Sequence, residues 1–496
     1  MAGLWASLVE ASDAAQRAMS GKHNVFAVQP WETQAGTALG MSKDQLRFAI
    51  ALFLSVPTGL GMRLFKSPTA RHLYSLSTGL LLVYWPFGQG VCQALLPAIL
   101  TYLAMAALPR QCGAIAWAVN MPYLIYLHVI NASGHSWAQG DMDFTGCLMV
   151  LVLKLISLAM SYQDHHTKKK EAMTEFQAAH AVAKLPSPLS YASYMFSLGN
   201  LLAGPYLEFA DYLQFVERQG VWSDSLPQAP PLGRAVLVYG ESMLFMASYL
   251  ALLPSFNLNT FSTPAYLSSP IYLKGWVQLM AGIVNQLKYA FAWKLSEAGL
   301  VLAGADFEGW KDGKAVWGRA CNVHFFQLLA SDSARLIPGF WNIRTGQFLR
   351  RYVYERLTPA GRKPGFVQLL ATQMVSAIWH GLYPGYMLFF AGSALWIHFS
   401  TVVWKLEQRY LPRALATSLP WVALKLLWTH YTLNYMASAF MVLEARGSLA
   451  VYQGVYYWPH VVMLVGNLVV GPLLLGGGKA KGKDKGKGQG SVTKTE

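Results

Sequence analysis

Between Leu46 and Leu475 the chain is a succession of apolar runs separated mostly by short polar links. About 20 apolar residues in a helix cross the hydrocarbon core of a bilayer. The runs of suitable length are Leu46–Met62, His72–Phe87, Val91–Leu108, Ile115–Ile130, Phe144–Tyr162, Ala235–Leu253, Leu273–Phe291, Tyr386–Val403, Val422–Val442 and Val461–Leu475. Only 13% of residues are charged, about half the roughly 25% of a soluble domain. The pattern predicts an all-α polytopic membrane protein with about ten or eleven embedded helices, several of them broken or re-entrant. It forms one domain over 43–475, after a polar segment 1–42 with at most a short amphipathic helix. The Gly/Lys-rich tail 476–496 cannot pack and is expected to be disordered.

The net charge of +15 does not point to nucleic acid, because much of the excess sits in the tail at Lys479, Lys481, Lys483, Lys485 and Lys487. Loop lysines and an anionic lipid surface account for it. The loop 163–187 carries Lys168, Lys169 and Lys170 and is expected in the cytosol. Its His165-His166 pair has no third ligand at metal-binding spacing and is expected in solvated loop. Cys92, Cys112, Cys147 and Cys321 stand singly and serve as small apolar residues. No cleaved signal is expected at the start, where no charged segment precedes an unbroken apolar core. Asn131-Ala132-Ser133 is a formal glycosylation sequon, expected unmodified because it abuts a helix end.

Three stretches interrupt the apolar order. In 190–215 the run breaks at Gly199, Gly204 and Pro205 and carries Glu208 and Asp211, which suggests a broken helix with carboxylates at a membrane boundary. The segment 307–363 is polar, aromatic and basic, with no run long enough to span, and is expected as amphipathic helices in the interface plane. The third, Phe366–Phe390, holds His380 inside an apolar run broken by Gly381, Pro384 and Gly385. An ionisable group at membrane depth is costly and marks function. Irregular backbone there survives only when buried in protein or lining a cavity. His380 is therefore expected beside an intramembrane cavity, although a lone buried histidine is ordinarily a hydrogen-bonded core residue.

Upstream, Asn342 opens a helical stretch between aromatic neighbours. Its amide can orient an imidazole or hold an oxyanion, or simply cap the helix. On the helix expected over Thr345–Leu357, Arg356 falls at i+4 from Tyr352, on the apolar stripe, while Arg350 points away. Arginines in this patch suit a polyphosphate such as coenzyme A or an anionic headgroup.

These residues carry a resemblance. Trp341-Asn342-x-x-Thr345, followed by Trp379-His380-Gly381-x-x-x-Gly385-Tyr386-x-x-x-Phe390, resembles the membrane-bound O-acyltransferase family, in particular its plant and algal lysophosphatidylcholine acyltransferases. Phe340–Ile343, Tyr352–Leu357 and Gly204–Phe209 fit the same group, and the likeness covers roughly 190 to 445. Phe348 stands where such sequences usually have Trp. Ile337-Pro338-Gly339-Phe340 replaces the acidic, doubly aromatic stretch of sterol and diacylglycerol acyltransferases. Neither HxxxxD nor GxSxG occurs, so the other glycerolipid acyltransferase chemistry and a serine elbow are excluded.

The resemblance implies acyl transfer from acyl-CoA, a co-substrate, to the free hydroxyl of a lysophospholipid, in phospholipid remodelling. His380 would be the general base and Asn342 the group that orients the reactants or holds the oxyanion. Trp341, Thr345, Arg356, Trp379, Gly381, Gly385 and Tyr386 are candidate substrate contacts. No metal and no bound cofactor are implied. The expected site is the endoplasmic reticulum membrane, with the basic tail in the cytosol and lipids as the surroundings. Alternatives are a family acyltransferase with another acceptor (a different lysophospholipid, another alcohol or a protein) and, more distantly, a lipid transporter with paired broken helices.

Overall fold

The computed structural model describes residues 23–132, 134, 141–358, 362 and 364–475. The start of the polar segment and the whole Gly/Lys tail lie outside the described residues. Eleven helices build the bundle: α1 Lys43–Gly61, α2 Pro68–Phe87, α3 Leu95–Ala107, α4 Cys112–Asn131, α5 Thr145–Thr167, α6 Leu232–Leu252, α7 Ile271–Ala303, α8 Phe366–His380, α9 Pro384–Tyr410, α10 Leu419–Val442 and α11 Trp458–Leu475. Local chemistry sets several starts. Ser42 and Gln45 bond each other's backbone N–H to open α1, and prolines with their fixed φ open α2 and α9.

Among the described residues seven helical segments are long and apolar enough to cross a membrane, α2 and α3 counting as one with a bend at Gly88–Ala94 between them. The remaining embedded helices are different in kind. α8 is short, and α7 and α10 carry Lys294, Glu297, Lys425, His430 and Asn434. In a membrane such polar side chains face the bundle interior. Lys294, Glu297, His430 and Asn434 are indeed buried. The 33-residue α7 is the post of the molecule, packing on α6, α1 and α10; α10 packs in turn on α9, and α9 on α8. α5 is mostly buried and packs on α4.

The stretch 190–215 is broken as expected. A helix Pro188–Met195 gives way to irregular backbone and restarts as Phe209–Glu217. Lys154 of α5 holds the break: its fully buried ammonium donates to the Tyr194 and Met195 carbonyls, Ser197 Oγ and Asn200 Oδ1 at 2.7–3.1 Å.

The segment 307–363 corrects the expectation of interfacial helices alone. It opens with an antiparallel hairpin, β1 Phe307–Lys311 and β2 Lys314–Trp317. Asp312 and Gly313 turn it with φ of 50° and 71°. An Asp-Gly pair is the dipeptide that such a two-residue turn selects. Short helices Phe325–Leu329 and Ile343–Leu349 come next, and the expected helix over Thr345–Leu357 instead widens into a π-turn at Arg350–Tyr354. His165 and His166 belong to the end of α5 and not to a loop. Asn131 is the last residue of α4, its amide donating to Thr145 Oγ1 at 3.1 Å.

Candidate active site

α8 ends at His380 because Gly381 takes φ 128°, ψ 170°, a conformation that L side chains rarely adopt. The imidazole lies among rings: Trp379, Tyr386, Phe390 and Phe440 have centroids 4.7, 5.5, 5.2 and 5.1 Å away. Despite this enclosure His380 is only half-buried, and its ring makes no hydrogen bond to any described residue. A core histidine ordinarily spends its nitrogens on partners; both nitrogens of this ring remain without one among the described residues.

Its backbone is clamped. Trp379 donates its indole N–H to the Met149 carbonyl at 2.9 Å, and the Trp379 carbonyl accepts from His128 Nε2 at 3.1 Å. A carbonyl only accepts, so Nε2 carries the proton and His128 Nδ1 is the acceptor. That Nδ1 is buried without a partner among the described residues and lies 3.4 Å from where a Cβ on Gly381 would sit. Gly385 lets α9 close on α10: its N–H donates to the Leu443 carbonyl at 2.7 Å, and any Cβ there would collide with the Ala439 carbonyl.

Asn342 is built by the chain after the hairpin. Asp306 accepts from the N–H groups of Gly318, Arg319 and Ala320 and so fixes the approach to Cys321-Asn322. Val323 then pairs with Trp341 as an isolated bridge. Asn322 grips the start of the helix at Ile343: its carbonyl accepts from Ile343 N–H at 3.0 Å, its Oδ1 from Arg344 N–H at 2.9 Å, and its Nδ2 donates to Asn342 Oδ1 at 3.2 Å. Asn342 itself sits at φ 47°, ψ 48° and makes no side-chain cap bond. The capping role that its position suggested is not the one it plays. Its half-buried amide has its oxygen engaged and its NH2 without a partner among the described residues. Trp341 packs on Trp293 and Tyr289 of α7, with centroids 4.8 and 6.5 Å away, and Thr345 is buried one turn on.

Two groups of expected residues thus emerge: Trp379, His380, Gly381, Gly385 and Tyr386 in one, Trp341, Asn342 and Thr345 in the other. Among the described residues no hydrogen bond or ring contact joins His380 to Asn342. Tyr289 lies between the groups, edge-on to Trp341 and near enough to Tyr386 for the two phenols to interact electrostatically. Arg356 is apart from both, in a bidentate pair with Asp164.

Two residues past Asn342, Arg344 lines a polar cavity of about 290 Å³ together with His180, Glu208, Asp211, Arg319 and Arg351. Arg319 Nη1 meets Asp211 at 2.6 Å, and His180 Nε2 meets its other oxygen at 3.5 Å. Burial alone would push His180 down, but Asp211 outweighs it and the imidazole is held above its usual range. Burial likewise pushes Asp211 up, and His180 and Arg319 bring it below the usual carboxylate range. Glu208, accepting from the Tyr206 and Tyr352 hydroxyls at 2.9 Å, is pushed up by burial. His180 stacks on Phe176 at 4.1 Å, and Arg351 covers that ring at 3.6 Å.

Sequence reasoning missed His128 and Asn322 as parts of the site. Neither carries a motif, and only the fold brings them to Trp379 and Asn342. Glu208 and Asp211, legible in the sequence as boundary carboxylates, both line the cavity.

Residues 129–442 match the family described as membrane-bound O-acyltransferase. Lysophospholipid acyltransferase 1 of Arabidopsis thaliana is 38% identical over 426 residues, 85% of this chain and 92% of that protein. Lysophospholipid acyltransferase 2 of the same plant is 37% identical over 87% of this chain and 95% of its own length. The human membrane-bound glycerophospholipid O-acyltransferase 2 is 27% identical over 86% of this chain and 84% of its own.

Proposed function

The chain belongs to the membrane-bound O-acyltransferase family, and from that premise we propose that it acts as a lysophospholipid acyltransferase using acyl-CoA, with His380 as its base. The observation that carries the base assignment is an imidazole held at a helix end, half-buried among aromatic rings, with no hydrogen-bond partner among the described residues.

In this reading the lysophospholipid hydroxyl, lysophosphatidylcholine being the acceptor we favour, gives its proton to His380 as its oxygen attacks the thioester carbonyl. The oxyanion that forms is met by the Asn342 NH2, a donor worth about 3 kcal/mol in such a role. Collapse expels the CoA thiolate, which takes the proton back from His380, and the new ester leaves by the membrane. Enclosure by Trp379, Tyr386, Phe390 and Phe440 keeps water from the thioester.

The cavity of Arg319, Arg344 and Arg351 is suited to the CoA phosphates, because guanidinium groups bind phosphate with charge-assisted bonds. Arg344 lies two residues from Asn342, so a pantetheine arm need only pass that asparagine. His180 brings the cavity to the side of the Lys168–Lys170 loop, which the positive-inside rule assigns to the cytosol, where acyl-CoA is met. Tyr410 Oη donates to the Leu474 carbonyl at 2.8 Å, so the basic tail leaves from the Tyr410 end of α9. Phe366, just after the arginine segment, packs at 5.2 Å on His398 in the same half of α9. In this reading the tail shares the cytosolic side with the arginine segment, and the membrane is that of the endoplasmic reticulum.

The test is acyl transfer from oleoyl-CoA to lysophosphatidylcholine by membranes from a host lacking the activity. His380→Ala should be made in normal amount and be inactive; near-normal turnover would sink the assignment.

A further inference from the structure

A second cleft, of about 320 Å³, lies away from His380 between α9, α10 and the segment Asp332–Leu336. Its deep end is formed by Trp396, ten residues beyond Tyr386 and so about 15 Å further along α9. Its mouth reaches Trp404, Glu407 and Lys425, near the turn that joins α9 to α10. That end of α9 has the marks of a membrane–water boundary: Trp404 and Tyr410 are exposed beside Lys405 and Arg409.

Two groups in the cleft lack partners. Trp396 is 2% exposed, yet its indole N–H has no acceptor among the described residues. A buried indole donor ordinarily finds one. Arg335 lies 4.4 Å over the face of Trp404 and makes no hydrogen bond or ion pair with any described residue. The other charges are satisfied: Lys425 bridges Asp332 at 2.8 Å and Glu407 at 2.9 Å. What stands open is therefore one cation at the boundary and, two helical turns deeper, one N–H donor. Between them run the apolar faces of Phe399 and Trp428.

We propose that this cleft binds a membrane glycerophospholipid, its phosphate on Arg335, its glycerol backbone passing Phe399 and Trp428, and an ester carbonyl on the Trp396 N–H. Phosphate at the interface, ester beneath it and hydrocarbon deeper is the order in which such a lipid presents its groups. A guanidinium suits the phosphate, and an ester oxygen is an acceptor that reaches below the headgroups. The site is distinct from the acyl-transfer cavity and does not depend on the role of His380.

Native mass spectrometry of the full chain in detergent, titrated with dioleoylphosphatidylcholine, reads it. The unaltered protein should hold one more phospholipid than Arg335→Gln or Trp396→Phe, whose affinity for that molecule should fall about tenfold. Dioleoylglycerol, which lacks phosphate, should not displace it. Equal occupancy in the unaltered protein and both variants, or displacement by dioleoylglycerol, overturns the proposal. Trp396→Phe keeps the ring and removes only the N–H. Should it still lower the thermal midpoint, the exposed Arg335→Gln decides alone.

Discussion

Asn322 Nδ2 donates to Asn342 Oδ1 at 3.2 Å, while Asn322 Oδ1 accepts the backbone N–H of Arg344. One asparagine thereby fixes which end of the other is spent: the Asn342 oxygen is engaged, and its NH2 remains for a developing negative charge. Asn342→Ala should lower kcat by about 10²–10³. Asn322→Asp removes the donor and places an acceptor against Asn342 Oδ1, so the Asn342 amide should turn over and present its oxygen. Its kcat should then fall nearly as far with KM little changed. If Asn322 were only a structural brace, kcat would instead track the thermal midpoint.

Much of this could be read in the sequence, and the limits have physical causes. The apolar runs located most of the helices to within a few residues, because bilayer thickness sets their length. α7, however, continues twelve residues past its run to Ala303, and α9 seven past its own to Tyr410. His380 stood out as an ionisable group inside an apolar run beside a Gly-Pro break, and Asn342 through its motif. Asp312-Gly313 was a hairpin signal within a segment assigned to helices by its basic, aromatic character. His128 and Asn322 could not be read, since each acts through a contact across more than one element. The polar cavity assembles His180, Asp211, Arg319 and Arg351 from four separate stretches.

His128 holds the Trp379 carbonyl and so sets where the last turn of α8 points His380. Replacement by Leu leaves that carbonyl without its donor and lets the turn shift. A shift of about 1 Å at a reacting group costs on the order of 10²-fold. Gln can reach with an amide N–H, so His128→Gln should recover much of what His128→Leu loses. Equal activity of the two variants, measured at matched protein amount, would remove His128 from the positioning of the base.

The polar cavity should respond to pH through His180. Its folded-state pKa is raised, by Asp211 against the effect of burial, so its stabilisation is complete below the ordinary value of about 6.5 and is lost as pH rises through the raised one. Asp211 is shifted down, so its share is present above its unfolded value and is lost only as pH falls through the lowered one. Between those limits the cavity carries an extra positive charge. Adenosine 3′,5′-bisphosphate, the phosphate-bearing end of CoA, should therefore bind more weakly as pH rises through the His180 pKa, as titration calorimetry in detergent would show. In His180→Gln the affinity should be lower at the acid end and nearly flat across the same range. A slope that persists unchanged in that variant would mean that another group, and not His180, titrates against the phosphates.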